Sequence, residues 1–164
     1  MAQAGLRGSV GLLHTCGSDA PSVCAREYAP GMNATGPGEK GDRSALASAS
    51  YGRTVRRFDF SQAALSSVSG PKMLQLDRCT FAGADLRHAT LDGWHFKLCD
   101  LTGVNFRGAS LRGAWFAGCD LSGADLRDTD LTDVQFGSVG VGDGAIDTRL
   151  DRVLCDPGVE LTLS

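Results

Sequence analysis

The sequence predicts an all-β fold in which short extended segments and sharp corners alternate to form a solenoid. Every fifth residue over a long stretch is Leu or Phe, and the residue two positions earlier is mostly small or apolar. A helix would need apolar residues at every third and fourth position, and a long strand at every second position. Here the in–out–in alternation lasts three residues before the chain must turn, so we expect stacked coils that bury a continuous column of side chains. The column consists of Leu76, Phe81, Leu86, Leu91, Phe96, Leu101, Phe106, Leu111, Phe116, Leu121, Leu126, Leu131 and Phe136.

The remaining positions of the five-residue period fit the same coil. The residue before each Leu or Phe points outward and is polar in most repeats, and it is Asp or Asn at Asp85, Asp100, Asn105, Asp120, Asp125 and Asp130. The fifth position is often glycine, as at Gly103 and Gly123, and glycine permits a corner at little steric cost. The period therefore predicts both the buried positions and the corners.

Three of these repeats carry a family resemblance. Ala84-Asp85-Leu86 and Ala124-Asp125-Leu126 match the motif A(D/N)LXX, and Val104-Asn105-Phe106 matches it closely. Through them the stretch 74–138 resembles the pentapeptide-repeat family. The resemblance implies a right-handed quadrilateral β-solenoid with four pentapeptides per coil. Residues twenty apart would then lie above one another at the strand spacing of about 4.8 Å.

We divide the chain into three parts. Residues 1–55 are rich in Gly, Ala, Ser and Pro without a sustained period, so we expect a disordered segment; a start codon placed too far upstream would also explain it. Residues 56–147 form the solenoid, whose earliest repeats are one residue out of phase. We therefore expect a bulge or loop at Ser66–Lys72, where Gly70-Pro71 would interrupt a strand.

The third part, residues 148–164, is expected to be a cap and a tail. Val141 and Ile146 stay in phase, which predicts a degenerate last coil reaching residue 147. The spacing of Leu150, Val153 and Leu154 predicts a short amphipathic helix that covers the last apolar layer, and a short strand could follow it. An uncapped end would instead expose strand edges, so an end of the solenoid is also a candidate homodimer contact.

The twenty-residue register places Arg87, Arg107 and Arg127 in one outward column. Stacked guanidinium groups could form a stripe that binds phosphate or carboxylate groups. The alternative is a solvated face whose arginines pair with neighbouring aspartates, and each such pair would contribute about 0–1 kcal/mol.

Trp115 occupies an outward position, with His95 one coil below it. Because tryptophan is enriched at binding hot spots, these two residues complete the candidate interaction surface with the arginine column. The alternative is that Trp115 packs against the N-terminal segment or the bulge. Trp94, in contrast, is expected to point inward, with the small Ala114 above it making room.

Cys79, Cys99 and Cys119 form an inward column, where a free thiol is a good small core residue. Parallel side chains give poor disulfide geometry, and no paired Cys or His motif indicates zinc. We find no catalytic constellation, nucleotide-binding loop or cofactor motif, and predict no catalytic residue, cofactor or metal. The chain is therefore expected not to be an enzyme.

The functional expectation is a non-catalytic scaffold or protein-binding module with a protein partner. The net charge of −3, the lack of a long apolar run and the mostly unpaired cysteines favour a cytoplasmic protein that binds neither nucleic acid nor membrane. The family resemblance implies an alternative, since some members mimic DNA, bind type II topoisomerases such as gyrase, and protect against quinolones. Duplex DNA carries one charge per about 1.7 Å of axis, far more than this stack carries.

Overall fold

The computed structural model describes residues 39–142, 144–161 and 163. The expectation that residues 1–38 are disordered lies outside the described residues. The described part belongs to one compact unit, residues 33–164. Its elements are β1 (Glu39–Lys40), α1 (Arg43–Ala47), β2 (Thr54–Arg56), β3 (Phe58–Asp59), β4 (Gln75–Asp77), β5 (His95–Lys97), β6 (Trp115–Ala117), β7 (Gln135–Val141) and β8 (Gly144–Asp147).

The chain forms a β-solenoid of the expected quadrilateral kind. On one side, here called the strand face, β2, β4, β5, β6 and β7 pair in parallel in that order. From β4 to β7 the register is twenty residues, so that Leu76 pairs with Phe96 and Phe96 with Phe116. Between residues 80 and 130 the other three sides are held by isolated parallel bridges at the same register, such as Asp85 with Asn105. The five-residue period and the four-sided coil are therefore confirmed.

The core is the column that the period predicts. Every Leu and Phe of the series is buried except Leu131, which is partly buried and packs against the core. Phe96 and Phe116 stack nearly parallel with ring centroids 4.8 Å apart, which is the spacing of the strands that carry them. Burial of apolar surface on successive coils is the main stabilising contribution in such a stack.

The phase slip near Gly70-Pro71 is a single inserted residue. Val55 pairs with Leu76 and Ser69 bridges Thr90, both at a register of twenty-one residues. Later coils keep twenty, so the first coil contains one residue more. The extra residue lies where the sequence predicts an interruption.

The expectation of disorder up to residue 55 is wrong from Glu39 onward. Strand β1 pairs in parallel with β3, and helix α1 follows it. The helix begins after Asp42, whose carboxylate accepts hydrogen bonds from the Ala45 backbone N–H and the Ser44 hydroxyl; such a cap stabilises a helix start. Leu46 is fully buried against the core. The low hydrophobicity of this segment predicted disorder, but the single buried Leu46 anchors the five-residue helix α1 on the core.

The two expectations for the C-terminal part are also wrong. Val141 and Ile146 do not continue the coil, because β7 and β8 pair antiparallel as a hairpin and leave both side chains exposed. No helix forms at Leu150–Leu154. Instead the chain returns to the stack as another turn, in which Arg149 bridges Asp120 and Leu154 bridges Asp125. Cys119 and Thr148 occupy equivalent core positions on successive turns, yet they are twenty-nine residues apart instead of twenty. The hairpin accounts for the nine additional residues.

Candidate interaction surface

The outward side of the strand face carries the predicted pair Trp115 and His95. The two residues are register partners on β6 and β5. Their rings meet edge to face, with centroids 5.6 Å apart and an interplanar angle of 85°. The Trp115 side chain remains 37% exposed. The structure thus brings the two aromatic residues together and leaves part of the indole accessible.

Beside this pair lies an open depression that the sequence interpretation missed. It runs along the corner that precedes the strand face and is lined by Tyr51, Lys72, Met73, Asp92, Gly93 and Arg112. Tyr51 is 73% exposed and Met73 is 41% exposed. The twenty-residue register could have shown that Lys72, Asp92 and Arg112 share one corner. Tyr51 could not have been found, because it falls in the segment expected to be disordered.

The predicted arginine column exists, but its charges are paired. Arg87 binds Asp85 of its own repeat through two hydrogen bonds, of 2.9 and 2.8 Å. Arg127 does the same with Asp125, at 2.9 and 2.6 Å. Arg107 follows an asparagine and reaches Asp128 on the next coil, at 2.8 Å. All three arginines of the column therefore form ion pairs with neighbouring aspartates.

The outward aspartates have a structural role at the corners. The Asp100 carboxylate accepts hydrogen bonds from the backbone N–H and the hydroxyl of Thr102, and Asp120 accepts the same pair from Ser122. Hydrogen bonds to the charged form favour ionisation. Accordingly, hydrogen bonds from Ser61, together with Lys40, lower the pKa of Asp59 to about 2. The repeat's aspartates therefore act as local turn caps.

The cysteine column is a regular ladder inside the core. The thiols of Cys79, Cys99 and Cys119 donate to carbonyl oxygens of the coil below at 3.5, 3.4 and 3.3 Å. Burial raises the pKa of Cys99 well above its usual value, which keeps this thiol protonated at neutral pH. All four cysteines in the described part are free, and no cluster of His, Cys, Asp or Glu within it could hold a metal ion.

Comparison with known proteins agrees with this geometry. Residues 72–143 match the family model described as a pentapeptide repeat region. The match, together with the four-sided coil of five-residue repeats, identifies this stretch as a pentapeptide repeat region. No curated protein matches the chain. Within the described residues, no helix has the length and apolarity to cross a membrane.

Three solved structures illustrate the likeness. Trypsin-treated QnrB1, a plasmid-mediated fluoroquinolone resistance protein, is 21% identical, with 70% of this chain and 52% of that chain covered and a TM-score of 0.49. The pentapeptide repeat protein Rfr23 from the cyanobacterium Cyanothece 51142 is 22% identical, with 63% of this chain and 57% of that chain covered and a TM-score of 0.38. A pentapeptide repeat protein from the Arabidopsis thaliana thylakoid lumen is 21% identical, with 65% of this chain and 77% of that chain covered and a TM-score of 0.37. The chain thus spans about half the length of QnrB1.

Proposed function

We propose that the chain is a non-catalytic protein-binding scaffold and that its partner contacts the strand face around Trp115. The observation that carries the proposal is the Trp115–His95 pair, whose half-exposed indole stands on a flat strand face. Large aromatic side chains that are rigidly held before binding cost little conformational entropy when a partner arrives. No comparable observation supports a catalytic role, since no catalytic constellation of described residues lies beside the Trp115–His95 pair.

The neighbouring depression extends the proposed contact. Tyr51 and Met73 add apolar surface. The lining also contains Asp92 and two basic residues, Lys72 and Arg112, which stand two coils apart, about 10 Å along the axis at the strand spacing. An apolar centre with charged residues around it is the usual anatomy of a protein interface. We therefore expect the partner to present an apolar or aromatic side chain next to acidic groups.

The gyrase-binding alternative is supported less well. Arg87 and Arg127 neutralise Asp85 and Asp125. Three further aspartates, Asp100, Asp120 and Asp130, accept hydrogen bonds from backbone N–H groups at turns. No specific feature of the described residues favours DNA mimicry over an ordinary protein contact. A supercoiling assay with purified gyrase at micromolar protein would reveal this activity directly.

A cytoplasmic location is proposed together with the scaffold role. Its support is the buried column of free thiols at Cys79, Cys99 and Cys119, because cysteines stay unpaired most readily in a reducing compartment. Fractionation of source cells, followed by immunoblotting, tests this proposal.

The scaffold proposal is tested by quantitative affinity capture from cells of the source organism. We expect Trp115→Ala to reduce recovery of a specific partner at least tenfold, about 1.4 kcal/mol of binding free energy. The control is Val141→Ala, which removes an apolar side chain that is 44% exposed from the β7–β8 hairpin. Equal recovery of every captured protein by wild type and by Trp115→Ala would remove this surface from consideration.

A further inference from the structure

Formal charge changes steadily along the axis of the solenoid. The described residues 39–91, which include the first two coils, contain eight Lys or Arg and five Asp or Glu, a net charge of +3. Residues 92–111 contain two of each and are neutral. The described residues from 112 to 163 contain four Lys or Arg and nine Asp or Glu, a net charge of −5. One end of the stack is basic and the other is acidic.

The basic end, here called the head, also presents an open strand edge. Among the described residues, strand β2 is the outermost strand of its sheet and pairs only with β4. It carries Arg56, which pairs with Asp77 at 3.4 Å, and Arg57 follows it. Helix α1 covers the core at this end through the buried Leu46, but it does not pair with β2. The head therefore offers backbone hydrogen-bonding groups flanked by positive charge.

The acidic end, here called the tail, presents apolar surface among unpaired carboxylates. Leu163 bridges Phe136 on the strand face, yet 56% of Leu163 and 49% of Leu154 are exposed. Within the described part, Asp151 and Glu160 form no ion pair, unlike the aspartates of the side faces. Nothing in the described part covers this last turn.

We propose that copies of this chain associate head to tail, with the β2 edge of one copy seated on the last turn of the next. The opposite charges of the two ends attract each other. Two tails brought together would instead repel each other, because each has a net charge of −5. The screening length is about 10 Å at 0.1 M salt, so the charges of the two outermost coils contribute to either contact.

Strand direction agrees with this arrangement. A copy added head to tail keeps all strands of the strand face parallel, and an unpaired strand edge is a ready template for pairing with another chain. Such a contact joins two different surfaces, so it continues to further copies unless one end is blocked. Covering Leu154 and Leu163 adds an apolar contribution to the electrostatic one.

The full chain is tested by sedimentation velocity from 5 to 200 micromolar protein at 0.1 M and 0.5 M sodium chloride. We expect a series of dimers and larger oligomers at 0.1 M salt. Association should weaken roughly tenfold at 0.5 M, because salt screens the attraction between opposite charges. A tail-to-tail dimer has the opposite dependence, since salt relieves repulsion between like charges.

Charge-reversal variants identify the two surfaces. The head variant is Arg56→Glu with Arg57→Glu, and the tail variant is Asp151→Lys with Glu160→Lys. Each should associate more weakly alone than the wild type, and mixing them should restore association, because the unaltered basic head of one variant can then meet the unaltered acidic tail of the other. The control is Lys97→Glu with Arg107→Glu, which changes the net charge by the same amount on the neutral middle coil.

Circular dichroism first establishes that each variant is folded, and restoration on mixing excludes misfolding independently. A chain that stays monomeric at 0.1 M salt and 200 micromolar protein overturns the proposal. So does association that strengthens with salt or that the head variant leaves unchanged, since either result indicates a tail-to-tail contact. Equal loss of association in the control variant would show a nonspecific effect of net charge and would also overturn it.

Discussion

The indole N–H of Trp94 donates a hydrogen bond to the carbonyl oxygen of Pro71, with a donor–acceptor distance of 3.1 Å. Trp94 is buried, and its ring lies against Gly70, where an added Cβ would stand 2.5 Å from a ring carbon. The inserted residue at Gly70-Pro71 and the largest core side chain therefore belong to one local arrangement. The bulge both makes room for the indole and satisfies its polar atom, as a buried tryptophan requires.

Substitution of Gly70 by alanine should destabilise the fold by about 1–3 kcal/mol, because the new methyl group overpacks the core beside Trp94. Gly140→Ala is the matched control, since its Cβ would meet no atom within 4 Å and neither glycine has a positive φ. Urea unfolding followed by circular dichroism measures both. Coinciding unfolding midpoints for the two variants would contradict the packing argument.

The two tryptophans should be distinguishable by fluorescence. In Trp115→Phe the remaining Trp94 is 1% exposed, and in Trp94→Phe the remaining Trp115 is 37% exposed. We expect blue-shifted emission that iodide hardly quenches in the first variant, and red-shifted, readily quenched emission in the second. Trp94→Phe should also lower stability by about 1–3 kcal/mol through the unsatisfied Pro71 carbonyl. Equal quenching in both variants would show that the assigned exposures are wrong.

Thiol labelling should separate one accessible cysteine from three buried ones. In a Cys16→Ser, Cys24→Ser background, Cys155 is partly exposed, whereas Cys79, Cys99 and Cys119 are buried. One thiol should react with Ellman's reagent within minutes, and the other three only after unfolding in denaturant. Burial also raises the pKa of Cys99, which lowers the reactive thiolate fraction further. Four rapidly reacting thiols, or fewer than four after unfolding, would rule out this arrangement.

Stability should fall in acid through the aspartate turn caps. Hydrogen bonds from Ser61 lower the pKa of Asp59 to about 2, and a hydrogen bond from Arg87 lowers that of Asp85. A folded-state pKa below the unfolded value of about 3.9 means that the stabilisation is complete above about pH 5. It is then lost as pH falls toward 2. Thermal unfolding between pH 2 and 5 measures the slope.

Asp59→Asn is the comparison for the acid effect, because asparagine keeps a side-chain oxygen for the Ser61 N–H, as Asn105 does for Arg107, but does not titrate. Its melting temperature should fall less steeply between pH 4 and 2 than that of the wild type. Identical slopes would mean that the acid sensitivity arises elsewhere.

The sequence predicted the central stack well, because each buried position there is specified by its own residue. Leu76 through Phe136 and the cysteine column lie where the period puts them. The ends were predicted poorly. Whether Leu46 anchors a helix, or Val141 turns into a hairpin, depends on which surface the neighbouring coil leaves open. That information is not contained in the local residue pattern.

The candidate surface shows the same division. Outward positions for Trp115 and His95 followed from the twenty-residue register, and so did the alignment of the three arginines. The pairing of those arginines with Asp85, Asp125 and Asp128 was only one of two alternatives. Side-chain rotamers decide between them, and a pattern of residue types does not specify a rotamer.

The sequence by itself determined the fold class, the buried columns and the place of the phase slip. In a repeated pentapeptide each of the five positions points in the same direction, inward or outward, in every repeat. The tertiary structure alone decided how the ends are finished, which charges remain unpaired, and why one residue is inserted at Gly70-Pro71. Repetition specifies contacts between equivalent residues on successive coils. Contacts at the ends, and around one oversized indole, join non-equivalent residues and arise only once the chain has folded.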